Sequence, residues 1–243
     1  MSQFSPDALR VGLLTTSVAD DIWLERLKDS WSAEEVRFGR VKEAASPDIF
    51  HPELLLLVLG NVPPDAEEAE SVALVAKTAR EQGALVLGVV AGPDQTKGSC
   101  SIWWDALHGL VEVGSPATLA TALSSLLRLI LTPGVIRLEK EDIEDFFRMS
   151  PRCRLTVGQG EGPNRIEEAM AGAMQEQNKT ILLAPKGHWL VGIMSDASLS
   201  SVEFNAAGKW LQGRVPSGHE ITVMASSDVE QNDMCRVMLM ASC

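Results

Sequence analysis

The stretch that most limits what this chain can fold into runs from Leu54 to Val90, "LLLLVLGNVPPDAEEAESVALVAKTAREQGALVLGVV". Its two apolar runs, "LLLLVL" and "ALVLGVV", are far too short to cross a bilayer, and they lack the polar alternation of a strand wet on one face. They read as strands buried on both sides. The segment between them has helical character and a glycine stop at Gly83, which predicts a crossover helix. Strand, crossover helix and strand together predict a parallel, doubly wound sheet, so the fold class is α/β.

The flanking sequence extends this pattern. "LRVGLL" at 9–14 reads as a strand, and "ADDIWLERLKDSW" places Ile22, Trp23, Leu27 and Trp31 at helical spacing. A short strand is expected in "EEVRFGRV" and another at "GLVEV", with "ASPDIFHPE" breaking the pattern between elements. "SPATLATALSSLLRLILTPG" is a long apolar helix with a serine cap signal at Ser115 and a stop at Pro133 and Gly134. Beyond it the strands "CRLTVGQG", "HWLVGIMSD", "EITVMASS" and "CRVMLMAS" no longer alternate regularly with helices. The predicted organisation is a sheet domain over 1–114, a central helix over 115–134 and a smaller α+β domain over 135–243.

Charge and composition exclude several functions. With 33 Asp and Glu against 21 Lys and Arg, a net charge of -12 argues against a general nucleic-acid or anionic-membrane surface. Cys100, Cys153, Cys235 and Cys243 are scattered and only four histidines accompany them, so no metal site is predicted. The same shortage leaves no Ser, His and acid set in a plausible order. The start "MSQFSPDALRVGLL" has no basic region followed by an apolar run and a cleavage site; cytoplasmic residence with reduced thiols is the expectation, without membrane insertion. Trp103 and Trp104 are adjacent, so both cannot face one side of a sheet, and one is expected to cover a junction or surface.

Four pieces of the second half carry a resemblance. "TPGVIRLEKEDIEDFF", "VGQGEGPNRIEEAM", "LVGIMSDASLSSVEFNAAGKWL" and the pair "HEITVMASSDVE" and "MCRVMLMAS" resemble, in order and spacing, the C-terminal half of the FtsZ family, the tubulin-like GTPases of bacterial cell division. The second piece looks like the family's glycine-rich turn and following helix. The first half is similar more weakly: "LRVGLLTTSVAD" matches a first strand and phosphate loop, and "LLLLVLGNVPPDAEEAE" the strand entering the tubulin signature. The resemblance implies a Rossmann-like domain, a central helix and a C-terminal α+β domain, with part of the nucleotide-binding domain missing between the first strand and Leu54.

The loop chemistry departs from the family. Glycine in a phosphate loop permits positive φ and lets several N–H groups approach the anion unobstructed. Here Leu14, Thr15, Thr16 and Ser17 stand in the first loop. In the second, Asn61 is followed by Val62, Pro63, Pro64, Asp65 and Ala66. Pro63 and Pro64 remove two N–H donors and fix φ near -65°. Asp65, Glu67, Glu68 and Glu70 then place carboxylates where phosphates would lie, and each such pair near ~4 Å costs about 1–4 kcal/mol. No cofactor is therefore expected, and the sequence argues against GTP binding in the family's manner.

In the family, the segment after the central helix carries acids that enter the GTP site of the neighbouring subunit. The matching positions are Arg137, where the family has Asn, with Glu139 and Asp142. A plain helix start explains the same acids. Asn164 and Arg165 read as a cap and a first-turn anchor, and Asp196 as a turn residue or cap. The function implied is a non-hydrolysing FtsZ-like protein, a pseudo-GTPase acting through protein contacts, with FtsZ or itself as partner. Two rivals stay open: a residual GTP-binding or GTPase cytoskeletal protein with a rebuilt loop, and an FtsZ-fold binding module used in another pathway.

Overall fold

Buried apolar runs and crossover helices order the first half of the chain. The computed structural model describes residues 9–16, 21–31, 36–44, 52–59, 66–92, 104–132, 134–136, 138–177, 186–196, 198–227 and 234–242. The chain divides into two units, Met1–Ala120 and Thr121–Cys243. In the first, elements follow as β1 (Val11–Thr15), α1 (Asp21–Ser30), β2 (Val36–Arg40), α2 (Val41–Ala44), β3 (Leu54–Val58), α3 (Ala66–Glu81), β4 (Leu85–Ala91) and β5 (Gly109–Val113). The strands lie in the order β2-β1-β3-β4-β5, and every pairing among them is parallel.

The run "LLLLV" of β3 lies in the interior of this sheet. All five residues of β3 are buried, between β1 and β4. On the adjoining layer α3 turns Ala69, Val72, Val75, Ala76 and Ala79 inward, in one cluster with Leu55, Leu57, Val86 and Leu110. Each large apolar side chain so buried contributes about 1.5–3 kcal/mol. The helix ends as its glycine predicts. Gly83 adopts φ 86° and donates to the Arg80 carbonyl, while Ala84 donates to that of Ala79, the pair of bonds that closes a Schellman cap. Trp104 is half-buried against this cluster, and Trp103 lies outside the described residues.

The helix α4 (Pro116–Leu131) carries proline at its first position, and the Thr118 hydroxyl meets that of Ser115 at 3.2 Å at its start. The second unit then runs through β6 (Gly134–Ile136), α5 (Lys140–Met149), β7 (Arg152–Glu161), α6 (Arg165–Gln175), β8 (His188–Ser195), α7 (Ser201–Gln212), β9 (Glu220–Ser227) and β10 (Met234–Ser242). Its strand order is β7-β10-β8-β9-β6. β10 is antiparallel to both neighbours, β8 and β9 are parallel, and β6 is antiparallel to β9, the mixed pattern expected of an α+β unit.

The glycines of "VGQGEGPN" serve packing. The sequence suggests a glycine-rich turn, but Gly158 and Gly160 are residues of β7, and only Gly162–Asn164 turns. A Cβ on Gly158 would stand 2.0 Å from the Ala169 carbonyl oxygen, and one on Gly160 would stand 2.1 Å from that of Arg165. Bare backbone in the strand is what lets α6 lie directly on the sheet. Among the described residues, no helix is long and apolar enough to cross a membrane.

Candidate functional site

The two loop entries that the resemblance equates with phosphate loops begin side by side. Thr15 is the last residue of β1, buried at 2% exposure and in register with Val58, the last residue of β3. This is the carboxyl edge of a parallel sheet, where α/β proteins hold ligands. The donors described at this edge are already used. Thr16 donates its N–H to the Val58 carbonyl at 3.1 Å and turns its hydroxyl toward the same oxygen at 3.4 Å. Leu59 N–H goes to the Val89 carbonyl at 2.8 Å and Gly92 N–H to that of Val113 at 3.0 Å. A phosphate cradle requires such groups to point, unpaired, at the anion.

Ser17, Asn61, Pro63 and Pro64 lie outside the described residues, so Thr15 and Thr16 are the two of these loop positions that the structure places. Beyond the second loop α3 starts at Ala66 with Glu67 and Glu68 in its first turn. Carboxylates there complement the positive end of the helix dipole.

In the second unit Glu139 and Asp142 come together as the capping box of α5, with the Glu139 N–H donated to the Asp142 carboxylate at 2.9 Å. Ile143, Phe146 and Phe147 bury the opposite face of the helix. The acids therefore have a local structural task, yet both residues are exposed. Arg137 lies outside the described residues.

The most buried charge among the described residues joins residues far apart in the sequence. The Arg165 side chain, 7% exposed, donates through Nε to Glu203 at 2.8 Å, through Nη2 to the Ser198 hydroxyl at 3.0 Å, and through Nη1 to Asp196 at 3.4 Å. The hydrogen bond to Glu203 raises Arg165 above its ordinary pKa, and the return bond from Arg165 holds Glu203 below the usual carboxylate range. Asp196 is also lowered, chiefly by the Ser198 hydroxyl, whose backbone N–H it accepts at 3.2 Å.

Arg165 is thus an anchor, as its position suggests, and Asp196 a turn residue. Asn164 departs from expectation: its φ of -109° and ψ of 20° leave no side-chain cap bond on α6. The readable clue to the network was "SSVE". Ser200 and Glu203 form a reciprocal capping box, which fixes the carboxylate that Arg165 meets. Beside it, Cys235 is a free thiol pushed up to about 12 by burial, so it offers no nucleophile at neutral pH. This centre locks α6 to the turn before α7 and supplies no reacting group. Among the described residues, no group of three or more His, Cys, Asp or Glu is placed to hold a metal.

A parallel sheet unit followed by a mixed-sheet unit, with a long helix at the change between them, defines the FtsZ/tubulin-like fold. Solved structures of that class match nearly the whole chain. An empty FtsZ dimer of M. jannaschii is similar with a TM-score of 0.77 at 15% identity, over 97% of this chain and 88% of the other. CetZ1 from Haloferax volcanii, a GDP-bound monomer, gives a TM-score of 0.68 at 12% identity over 96% and 94%. CetZ from Methanosaeta thermophila gives 0.61 at 10% identity over 96% and 86%. At these identities the likeness is one of fold. No protein-family model matches the sequence, and no curated protein is similar to it.

Proposed function

We propose that this chain is a non-hydrolysing FtsZ-like protein that works through protein contacts, joining or capping an FtsZ/tubulin-like filament or associating with itself. The observation that carries this reading is the carboxyl edge of β1 and β3, where the described N–H groups are spent on sheet bonds. There the Thr16 N–H and hydroxyl both turn to the Val58 carbonyl, in a loop whose following positions lack glycine and whose partner loop holds Pro63 and Pro64. Glu139 and Asp142 support the contact half of the proposal. They remain exposed on α5, available to a neighbouring subunit, while their cap bond holds them in place.

The test is assembly of purified FtsZ, followed by light scattering and GTP turnover, with this protein added at substoichiometric and equimolar ratios. Slower or shorter assembly is the expected result, and unchanged scattering together with unchanged turnover refutes filament contact. A parallel titration with GTP and magnesium addresses the residual-GTPase rival. A ligand that binds only the folded state at 100 times its Kd adds about 2.7 kcal/mol of stability, so a rise in melting temperature would favour that rival over the proposal.

A further inference from the structure

The outer face of α3 carries one large apolar side chain among charges of both signs. Its inward residues go to the sheet, leaving an exposed stripe at helical spacing of Glu67, Glu70, Leu74, Lys77 and Glu81. Leu74, in the middle, is 57% exposed, a large apolar group surrounded by charge. The N-terminal half of the stripe is acidic and the C-terminal half carries Lys77, with Arg80 on its flank. Glu67, Glu70 and Lys77 have no side-chain ion-pair partner among the described residues. Beside Ala73 the surface dips into an open cavity of about 500 Å³, lined by Ala73, Lys77, Arg80, Glu81, Asp105 and Ala106. Arg80 is steadied at its rim by a 2.7 Å bond to the Asp105 carbonyl.

We infer that two copies of this chain associate through α3, antiparallel about a two-fold axis passing between Ala73 and Leu74. That axis sets Glu67 against Arg80, Glu70 against Lys77, and Leu74 against Ala73 at the edge of the cavity. Each contact occurs twice, because a two-fold interface is self-complementary. The same alignment brings Glu81 to the partner's Ala66, beside the partner's Glu67, a like-charge contact that weakens the pair, and sets the two helix dipoles antiparallel. Moving the axis onto Leu74 itself would oppose Glu67 to Glu81, so the charges select one register. The inference deepens the protein-contact reading above and rests on it, naming a second copy as one partner.

The interface is small. A helix of 16 residues is about 24 Å long, and one such pair falls short of the ~1,200–2,000 Å² of a standard stable complex. The dimer is therefore weak, concentration-dependent and favoured by low salt, since its ion pairs are exposed.

Sedimentation equilibrium of the whole chain at low ionic strength tests this without any FtsZ present. The weight-average mass is expected to climb from the 26.3 kDa monomer toward twice that value as concentration rises. Lys77→Glu alone and Glu70→Lys alone each place like charges in contact and raise the dimer Kd by about 10-fold or more, equivalent to about 1.4 kcal/mol. The two single variants mixed in equal amounts re-form opposite-charge contacts, as does the double variant, and both are expected to recover wild-type association. Leu74→Asp is expected to stay monomeric with an unchanged circular dichroism spectrum. A wild-type chain that stays monomeric up to about 1 mM overturns the inference. So does a dimer indifferent to either charge reversal, or a mixture that fails to recover. Filament assays separate the two readings: loss of dimer in Leu74→Asp with a retained effect on FtsZ overturns any need for the α3 dimer in filament contact, and wild-type dimerisation without any effect on FtsZ removes filament contact and leaves self-association as the contact made.

Discussion

Gly158→Ala and Gly172→Ala add the same methyl group to two sides of one helix–strand contact and should move stability in opposite directions. At Gly158 the new Cβ would lie 2.0 Å from the Ala169 oxygen and 2.4 Å from the Ala173 nitrogen, against an ordinary contact of 3.4 Å or more. Both neighbours are backbone atoms of α6, so no rotamer change relieves them, and the helix must retreat by more than an ångström. A gap of 0.5–1 Å already forfeits a quarter to a half of a dispersion contact. The retreat would thin the packing of Ile166, Ala169, Met170 and Ala173 against the sheet cluster that includes Val237 and Leu239. The cost is about 3 kcal/mol, the upper end for overpacking, from a total stability of ~5–15 kcal/mol. At roughly 2–4 °C per kcal/mol for a chain of this size, the melting temperature falls by about 6–12 °C.

Gly172 sits on the helix side of the same contact, where a Cβ meets only Gly158 Cα at 3.5 Å and the Gln159 nitrogen at 4.0 Å. There Ala gains up to ~1 kcal/mol of helix propensity and raises the melting temperature by about 2–4 °C. Thermal unfolding followed by circular dichroism, supported by urea titration, measures both. A loss under 2 °C for Gly158→Ala, on the same scale of ~2–4 °C per kcal/mol, would refute the packing argument. A larger loss at Gly172 than at Gly158 would refute it equally.

Three further outcomes follow from titratable groups held in the fold. Burial holds His188 below the ordinary imidazole value, with only partial opposition from Glu220; its Nδ1 is buried without a partner and its Nε2 meets the Thr222 hydroxyl at 3.1 Å. The unfolded chain therefore binds this proton first, and stability should fall as pH drops below about 6.5, a loss that His188→Gln removes. Asp196 and Glu203, lowered in the fold, contribute stability above the ordinary carboxylate range and lose it as pH falls through their depressed values, giving a second, more acidic step in urea titrations at graded pH. The Cys235 thiol, pushed up to about 12, should resist alkylation in the native protein at pH 8 and react fully in denaturant, as peptide mass mapping would read; rapid native labelling would contradict its burial.

Local pattern carried the elements, and distance in sequence hid their arrangement. The β3 run, the Gly83 stop and the acidic start of α5 were all legible, because buried runs, left-handed glycines and caps are set by a few adjacent residues. Pairing between segments was not. Arg165 and Glu203 are 38 residues apart, and nothing in either neighbourhood names the other. The glycines at 158 and 160 looked like a turn because glycine most often serves one. Their actual use, under α6, depends on a helix lying across the strand, which no single window of sequence contains. At the loop site the absent glycines and the two prolines are matters of sequence alone, since Pro63 and Pro64 lie outside the described residues, whereas the bond from Thr16 to Val58 needed the β1–β3 register.

The place of β10 in its sheet bears on how the chain is made. β10 is the last of the described strands to be synthesised, yet it lies between β7 and β8, pairing with residues 153–161 of one and 189–195 of the other. Until residues 234–242 have left the ribosome, neither β7 nor β8 has that neighbour, and the apolar cluster containing Val237 and Leu239 lacks its middle strand. The all-parallel sheet of the first unit meets no such delay, since its strands β1 to β5 are complete by residue 113. Synthesis from the N-terminus therefore favours a folded first unit waiting on a second that closes in one late step.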